Sequence, residues 1–426
     1  MKTTFPQNIT PALGINAIDD RFGLIGYVVI DRTVNGSASG GVRYAKDVSV
    51  EELSNLARAM TFKWAFLNNP MGGAKGGIFA SEQQLGVSRA ELMQAYGRAI
   101  APLVQRSVFN PGVDLGTSLS DLREIMTGAG KSFSESQIDG SYATAMTVLE
   151  TIQQLFHVNE ISLHGIRVAL EGFGKVGGFL AQMLESAGAV IVALSTITGG
   201  LYHKDGLKIQ DLLKLREAYG DDLIKHYPNA ERVSSDALYA LDIDLLIPGA
   251  RTAIVNEDNA ASIQAHWIVP IANYPITEKA ESLLIARGVC IVPDFISNSG
   301  GIMASAMHSN HFGIKDVQHY IETYYAKILR ELFLESKTRG EPITVLARQI
   351  AWENHLKMNQ GGQGSQNLGS RLTRLRKAGP TGLLQRVSWR LHKKGFQGKK
   401  LNMQAVDYYA EMTGLQILTI LKEMRS

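Results

Sequence analysis

At 426 residues, 45% of them hydrophobic and 19% charged, the chain is too long for one compact core and has the composition of a globular protein, not of a disordered or fibrous one. Its single cysteine, Cys290, excludes an internal disulfide and suits the reducing cytoplasm; no run nears the ~18 unbroken apolar residues of a membrane span, and residues 1–19 lack a continuous apolar signal segment. The net charge of +3 is uneven: residues 359–426 hold twelve Lys and Arg against three acids, a net +9, which leaves the first 358 residues at −6.

Phe22 to Ile30 is rich in β-forming residues, and Asn35 to Tyr44 (N-G-S-A-S-G-G-V-R-Y) reads as a turn followed by a strand. Ser49, with Glu52 three positions later, reads as a capping box opening a helix. That helix carries an apolar stripe of Leu53, Leu56, Met60 and Leu67, and Lys63 falls on the stripe. A buried ammonium is costly unless it meets an anion or reaches water. Lys63 therefore either snorkels to the surface or points from the helix end at a carboxylate. Leu67 to Ile78 (L-N-N-P-M-G-G-A-K-G-G-I) follows, with four glycines around Lys75. It is expected to be a Gly-rich loop, able to adopt φ > 0 and to approach a ligand closely. A lysine held there, away from water and near other cations, loses proton affinity and can act as a base near neutral pH; the alternative is a solvated lysine on an ordinary turn.

Residues 82–107 read as a helix, with Leu92, Tyr96 and Ile100 at helical spacing. Asn110 to Thr117 (N-P-G-V-D-L-G-T) reads as a turn whose only carboxylate is Asp114, by itself an Asx-turn or helix-cap aspartate. Residues 141–157 read as a helix joining two domains. Arg167 to Leu170 is a strand, followed by Gly172-Phe-Gly174-Lys175-Val176-Gly177 and a helix from Gly178 to Ser186. A G-x-G-x-x-G between a strand and a helix is a dinucleotide fingerprint: the glycines allow a tight turn and close approach to a pyrophosphate on the helix N-terminus. The next strand, Ala189 to Leu194, leads to Ser195-Thr196, where an acidic residue would bind the ribose 2′-hydroxyl of NAD. Thr196 leaves both NAD and NADP open, with Lys204 the one candidate cation for a 2′-phosphate. Further β-runs stand at Asp244–Ala250, Trp267–Asn273 and Val289–Pro293, and residues 315–358 read as helical, with Tyr320, Tyr324, Ile328 and Leu332 spaced by four. No His/Cys/Asp cluster has metal-ligand spacing, so no metal site is expected.

Two segments together, M-T-F-K at 60–63 and P-M-G-G-A-K-G-G at 70–77, resemble the substrate site of the amino-acid dehydrogenases acting on glutamate, leucine, phenylalanine and valine. The likeness runs over roughly residues 20–358. It implies an α/β fold: a substrate-binding domain of the dimerisation type at 1–140, a Rossmann-like NAD(P)-binding domain at 141–310 and helices returning to the first domain at 311–358; the basic linker with an extra helix at 359–426 lies beyond the likeness and is read from composition alone. It implies reversible oxidative deamination of an L-amino acid to a 2-oxo acid and ammonia, with NAD or NADP, in a homo-oligomer whose domains close to exclude water. By position, Lys63 would hold the substrate α-carboxylate, Lys75 would activate the water that attacks the imine, and Asp114 would exchange protons with the substrate nitrogen. Thr144 would meet the nicotinamide amide, Asn273 its ribose and Asn298 the carboxamide region. Ser39-Gly40-Gly41 stands where glutamate-specific relatives have Lys-Gly-Gly. A serine cannot neutralise a carboxylate, so an apolar amino acid is favoured. Ser305, where glutamate-type relatives place a substrate serine, points the other way. Pro270 and Tyr274 replace the family's glutamate and glycine around Asn273. The rival readings are a glutamate dehydrogenase and a catalytically silent relative that binds partners through its tail; against the second, Lys63, Lys75, Asp114 and the three glycines stand together.

The tail opens with a polar linker, N-Q-G-G-Q-G-S-Q-N, passes through a basic segment and ends in a helix predicted over Met403 to Met424. Docking on the acidic body, its own or a neighbour's, is the expectation. Contact with nucleic acid or an anionic membrane is the sharper alternative, but only Trp389 and Phe396 supply aromatic interleaving.

Overall fold

The computed structural model describes residues 10–81, 84, 86–133, 139–308, 312–360, 406, 407, 410 and 421. They form two compact units: the described residues up to 133 with 348–360, and the described residues from 139 to 347 with the four of the C-terminal segment.

In the first unit, β1 (Leu13–Asp19) and β2 (Leu24–Ile30) pair antiparallel across a 3₁₀ turn that Gly23 closes at φ 57°. Asn35 and Gly36, both at positive φ, turn the chain into β3 (Ala38–Ala45). Helix α1 (Val50–Phe66) begins at Ser49, whose hydroxyl accepts from the Glu52 N–H at 3.1 Å. Only this half of the expected capping box forms, because the Glu52 carboxylate pairs with Arg43. Then come β4 (Gly72–Phe79), α2 (Arg89–Gln105), β5 (Phe109–Val113) and α3 (Leu119–Gly128). The sheet order is β1-β2-β4-β3-β5, with β4, β3 and β5 mutually parallel. Neighbouring residues of β2 serve opposite faces: Val28 packs with Val42, Leu92, Tyr96 and Ile125 under α2 and α3, and Val29 packs with Val48, Leu53 and Ala57 under α1.

Two expectations fail in this unit. The glycine-rich stretch is not a loop; it is β4, held between β2 and β3. None of Gly72, Gly73, Gly76 and Gly77 has positive φ. They are glycines because their neighbours press on the backbone. A Cβ on Gly73 would lie 2.1 Å from the Thr61 nitrogen and 2.2 Å from the Ala57 oxygen of α1, and one on Gly76 would lie 2.6 Å from Tyr96 Oη. Likewise, the predicted turn at 110–117 starts as β5. Pro111 is accepted there because β5 is an edge strand.

The second unit begins with α4 (Gly140–Val158), β6 (Arg167–Glu171), α5 (Lys175–Ser186), β7 (Val190–Thr196) and β8 (Gly199–Tyr202). It continues with α6 (Ile209–Tyr219), α7 (Leu223–His226), β9 (Glu231–Val233), β10 (Leu245–Pro248), β11 (Trp267–Ile268), α8 (Glu278–Ala286), β12 (Cys290–Ile291), α9 (Asp294–Ser297) and α10 (Gly300–His308). The seven-stranded sheet runs β12-β11-β10-β6-β7-β8-β9, parallel from β12 to β7 and antiparallel at β8 and β9. The chain goes from β6 to β7 on one side and later returns to β10 on the other. The strand order therefore reverses beside β6, the switch point where open α/β sheets bind ligands. The strand expected over Trp267–Asn273 stops at Ile268, although the Val269 and Ile271 N–H groups still donate to the Leu246 and Pro248 carbonyls at 3.1 and 2.8 Å before the chain bends away at 271–273.

The helical stretch expected over 315–358 is interrupted twice. Helix α11 (Ile314–Tyr320) passes through a π-helical turn (Ile321–Tyr325) into α12 (Ala326–Arg339). Gly340 then stops α12 in the left-handed region at φ 63°, before α13 (Ile343–Gln360). The π turn inserts one residue, so Tyr325, not Tyr324, continues the buried face of Tyr320, Ile328 and Leu332. Tyr325 donates to the Ile296 carbonyl at 2.8 Å, and Tyr324 donates to the Asp407 carboxylate. Val406, Ala410 and Leu421 are buried, so this part of the C-terminal segment docks on the body. The polar linker, the basic segment and the rest of the predicted last helix lie outside the described residues. No helix among the described residues is long and apolar enough to cross a membrane.

Candidate active site

Lys75 stands in the middle of β4 with 2% of its side chain exposed, and its Nζ lies 2.9 Å from Asp114 Oδ1. Asp114 follows directly on β5. Its N–H donates to Thr117 Oγ1 at 2.9 Å, and that hydroxyl donates to the Val42 carbonyl at 2.8 Å, pinning the turn to β3. The second carboxylate oxygen of Asp114 accepts from Arg43 Nε at 3.0 Å, and Arg43 in turn holds Glu52. Burial pushes the Asp114 carboxyl up, but the Lys75 and Arg43 charges and hydrogen bonds outweigh it and leave the group below its usual value. Gly40 and Gly41 make this closeness sterically possible. A Cβ on Gly40 would fall 1.6 Å from the Ala74 oxygen, beside Lys75, and one on Gly41 would fall 2.7 Å from the Asp114 Cβ.

Lys63 lies in the last turn of α1 and is 3% exposed, so it does not snorkel. A cation there suits the negative end of the helix. Ser39 is half-buried, and its hydroxyl donates to the Asn110 carbonyl at 2.9 Å. The Trp64 indole N–H donates to the Ser39 carbonyl at 3.3 Å. Lys75, Asp114, Gly40 and Gly41 are thus brought together. Arg43 and Glu52, the other members of the charge chain, were missed because Glu52 had been assigned to the helix cap. The overlooked signal was a charged residue on a strand two positions after the close-packed Gly41.

The residues expected to bind the dinucleotide lie in the second unit. Gly172 leaves β6 at φ 92°, and a Cβ there would meet the Gly249 carbonyl carbon at 2.9 Å. A Cβ on Gly177 would lie 2.2 Å from the Gly172 oxygen. Gly174 caps the N-terminus of α5 with no side-chain hydrogen bond, and nothing lies within 4 Å of the space a Cβ would take. A bare helix N-terminus with open space before it, at the strand-order switch, fits a pyrophosphate. Val176 is half-buried in the first turn, and Lys175 is exposed with its Nζ 3.0 Å from Asp139. Gly177→Val is expected to weaken dinucleotide affinity at least about tenfold and to cost about 1–3 kcal/mol of stability, since α5 must move off the turn. Calorimetric titration with NAD and NADP measures this, and an unchanged affinity would detach the turn from the cofactor.

Thr196 ends β7 with its hydroxyl donating to the Asp221 carbonyl at 2.8 Å. Lys204 is not its partner: it lies level with the start of β6, where its carbonyl accepts from Arg167 at 2.9 Å, away from the strand end that carries Thr196. The Asn298 amide nitrogen donates to the Ile271 and Ala272 carbonyls at 2.7 and 3.0 Å and to Asn273 Oδ1 at 3.2 Å, so Asn298 holds the segment that presents Asn273. Thr144 donates to the Gly140 carbonyl of its own helix at 2.7 Å, and Ser305 sits on the exposed face of α10. Glu171, unmarked in the sequence reading, closes the β6 end by accepting from the Gly249 and Ala250 N–H groups at 2.9 and 2.8 Å; burial raises its carboxyl despite them. Among the described residues, no group of three or more His, Cys, Asp and Glu could hold a metal ion.

Two family models match the chain in succession. The family model described as Glutamate/Leucine/Phenylalanine/Valine dehydrogenase matches residues 138–360, and that of the Glu/Leu/Phe/Val dehydrogenase dimerisation domain matches residues 17–129. The NAD-specific glutamate dehydrogenase of Staphylococcus aureus is 33% identical over 297 residues, which cover 66% of this chain and 70% of that protein. Among solved structures, the hetero-hexameric glutamate dehydrogenase from Thermus thermophilus, in its Leu-bound form, superposes with a TM-score of 0.71 at 26% identity, covering 83% of this chain and 90% of that one. L-tryptophan dehydrogenase from Nostoc punctiforme shares the fold, with a TM-score of 0.57 at 22% identity over 82% of this chain and 97% of that one. The chain therefore belongs to the glutamate/leucine/phenylalanine/valine dehydrogenase family of amino-acid dehydrogenases.

Proposed function

We propose that this protein converts an L-amino acid with an apolar side chain reversibly to its 2-oxo acid and ammonia, using NAD or NADP, as a cytoplasmic homo-oligomer. The observation that carries the chemistry is the buried pair of Lys75 and Asp114 at 2.9 Å. Lys63 binds the α-carboxylate. Lys75 activates the water that adds to the oxidised carbon, and Asp114 takes and returns the protons of the substrate nitrogen, whose protonation changes during reaction. A nicotinamide bound on the second unit supplies the hydride acceptor. Gly174, at the bare start of α5, seats its pyrophosphate, and Asn298 keeps the Asn273 segment in place. No carboxylate stands at the Thr196 position to oppose a 2′-phosphate, which supports leaving both dinucleotides as cofactors.

The apolar preference rests on Ser39. A hydroxyl has one proton, and here it is committed to the Asn110 carbonyl, so Ser39 has none to offer a side-chain carboxylate. The second reading, glutamate, is favoured by the Staphylococcus aureus relative, which is named an NAD-specific glutamate dehydrogenase. The test is the absorbance of reduced nicotinamide with glutamate, leucine, valine, phenylalanine and tryptophan, each with NAD and with NADP. Turnover on an apolar amino acid and not on glutamate supports the proposal; turnover on glutamate alone replaces it with the second reading. Ser39→Lys should then raise kcat/KM for glutamate relative to leucine by about 10- to 100-fold, the worth of one charge-assisted hydrogen bond. An unmoved ratio would separate Ser39 from side-chain recognition.

A further inference from the structure

We infer that Arg43 and Glu52 set the proton affinity of Asp114, so that the working acid–base unit is the alternating chain Lys75, Asp114, Arg43, Glu52. The inference rests on the proposed role of Asp114 as proton carrier. Arg43 and Glu52 are positioning residues that act through Asp114.

The geometry is specific. The two oxygens of Asp114 are taken by different cations, Lys75 Nζ at 2.9 Å and Arg43 Nε at 3.0 Å. The other end of the Arg43 guanidinium pairs with Glu52 Oε1. Side-chain exposure is 20% at Glu52, 9% at Arg43, 12% at Asp114 and 2% at Lys75, so water screens these charges weakly. Glu52 occupies the third position of α1, where its carboxylate would ordinarily return to the helix end, and instead it faces Arg43. Gly41 and Arg43 lie two apart on β3 and so share a face: the first leaves room for the Asp114 Cβ and the second reaches its carboxylate. The charged groups around Asp114 are Lys75 from β4 and Arg43 from β3, with Glu52 from α1 behind Arg43. Arg89 of α2 and Asp121 of α3, paired at 2.8 Å, flank the same turn through the Gly116 carbonyl.

The consequence for proton transfer has a sign. A carboxylate held between two cations is a weak base. Lys75 exchanges protons in the proposed reaction, whereas a guanidinium stays charged. Arg43 is thus the constant pull on Asp114, and Glu52 offsets part of that pull. Removing the cation should make Asp114 more basic; removing the anion behind it should make Asp114 less basic.

The experiment is the pH dependence of kcat/KM for the amino acid that the purified full-length enzyme turns over. Arg43→Gln should move the acidic limb up by about one pH unit, and Glu52→Gln should move it down by about half a unit. Arg43→Lys should return the limb towards the wild-type position, because charge matters here more than the guanidinium shape. Opposite shifts with rescue establish the inference. Shifts of the same sign, or none in variants that still turn over, overturn it. Should Arg43→Gln fail to fold, as judged by its thermal midpoint, Glu52→Gln and Arg43→Lys carry the test. Asp114→Asn separates the two levels: full turnover in that variant removes Asp114 from proton transfer altogether, whereas an inactive Asp114→Asn with unmoved limbs in the other variants rejects only the tuning by Arg43 and Glu52.

Discussion

Lys75→Ala is expected to lower kcat by about 10³- to 10⁴-fold while changing dinucleotide affinity less than about threefold. The proposed water-activating group is gone, but the Gly172–Gly177 turn belongs to the other compact unit and is untouched. Stopped-flow turnover together with calorimetric titration of NAD and NADP separates the two effects. Ordinary turnover would falsify the assignment of Lys75. The same variant should also respond differently to acid. Asp114 has a folded-state proton affinity below its unfolded one, so its ionisation stabilises the fold fully above about pH 4, and the contribution is lost as pH falls through the folded value. Removing one of its two cations shrinks that contribution. Urea midpoints of the variant should therefore fall below wild type at pH 7, with the gap closing as the pH falls below the ordinary aspartate range and through the folded-state value.

Gly73→Val is expected to cost about 3 kcal/mol or more and to reduce soluble protein sharply. Its Cβ would meet the Thr61 nitrogen at 2.1 Å, the Ala57 oxygen at 2.2 Å and Thr61 Oγ1 at 2.4 Å. Two of these are backbone atoms of α1 and cannot rotate away, so the helix must lift from the sheet. Gly14→Ala on β1 is the matching control: nothing lies within 4 Å of its Cβ, and a change within about 0.5 kcal/mol is expected. Equal urea midpoints for the two variants would show that β4 glycines are not selected by contact with α1.

The contrast between these glycines explains what could be read in the sequence. The G-x-G-x-x-G was legible because a strand, a turn and a helix flank it in order, and Gly172 does take the positive φ that such a turn needs. Lys75 and Asp114 were legible as candidates, but their setting was misjudged in the same way at both places. Glycine and proline signal turns by local propensity, whereas in β4 and β5 tertiary packing decides: β4 needs small residues under α1, and β5 accepts Pro111 at a sheet edge. Ser49 was correctly read as a cap, yet its partner Glu52 was not, because sequence spacing carries no information about Arg43 arriving from another strand. Two-state reasoning about Lys63, to snorkel or to stay inside, was settled only by its 3% exposure.

The π-helical turn at Ile321–Tyr325 has an implication for length variation in this helix. It holds one residue more than an α-helical turn would, and its winding keeps Val317 and Tyr320 before it, and Leu329, Leu332 and Phe333 after it, all buried. Deleting a single residue at exposed Glu322 or Thr323 would let the turn relax to regular winding with the downstream face unmoved, because the π turn does no more than absorb that residue. Leu329 and Phe333 would stay inside. The same deletion within α12 meets no such slack and would rotate everything after it by about 100° about the axis. Residue count is thus under looser constraint at the π turn than in the regular helix that follows it.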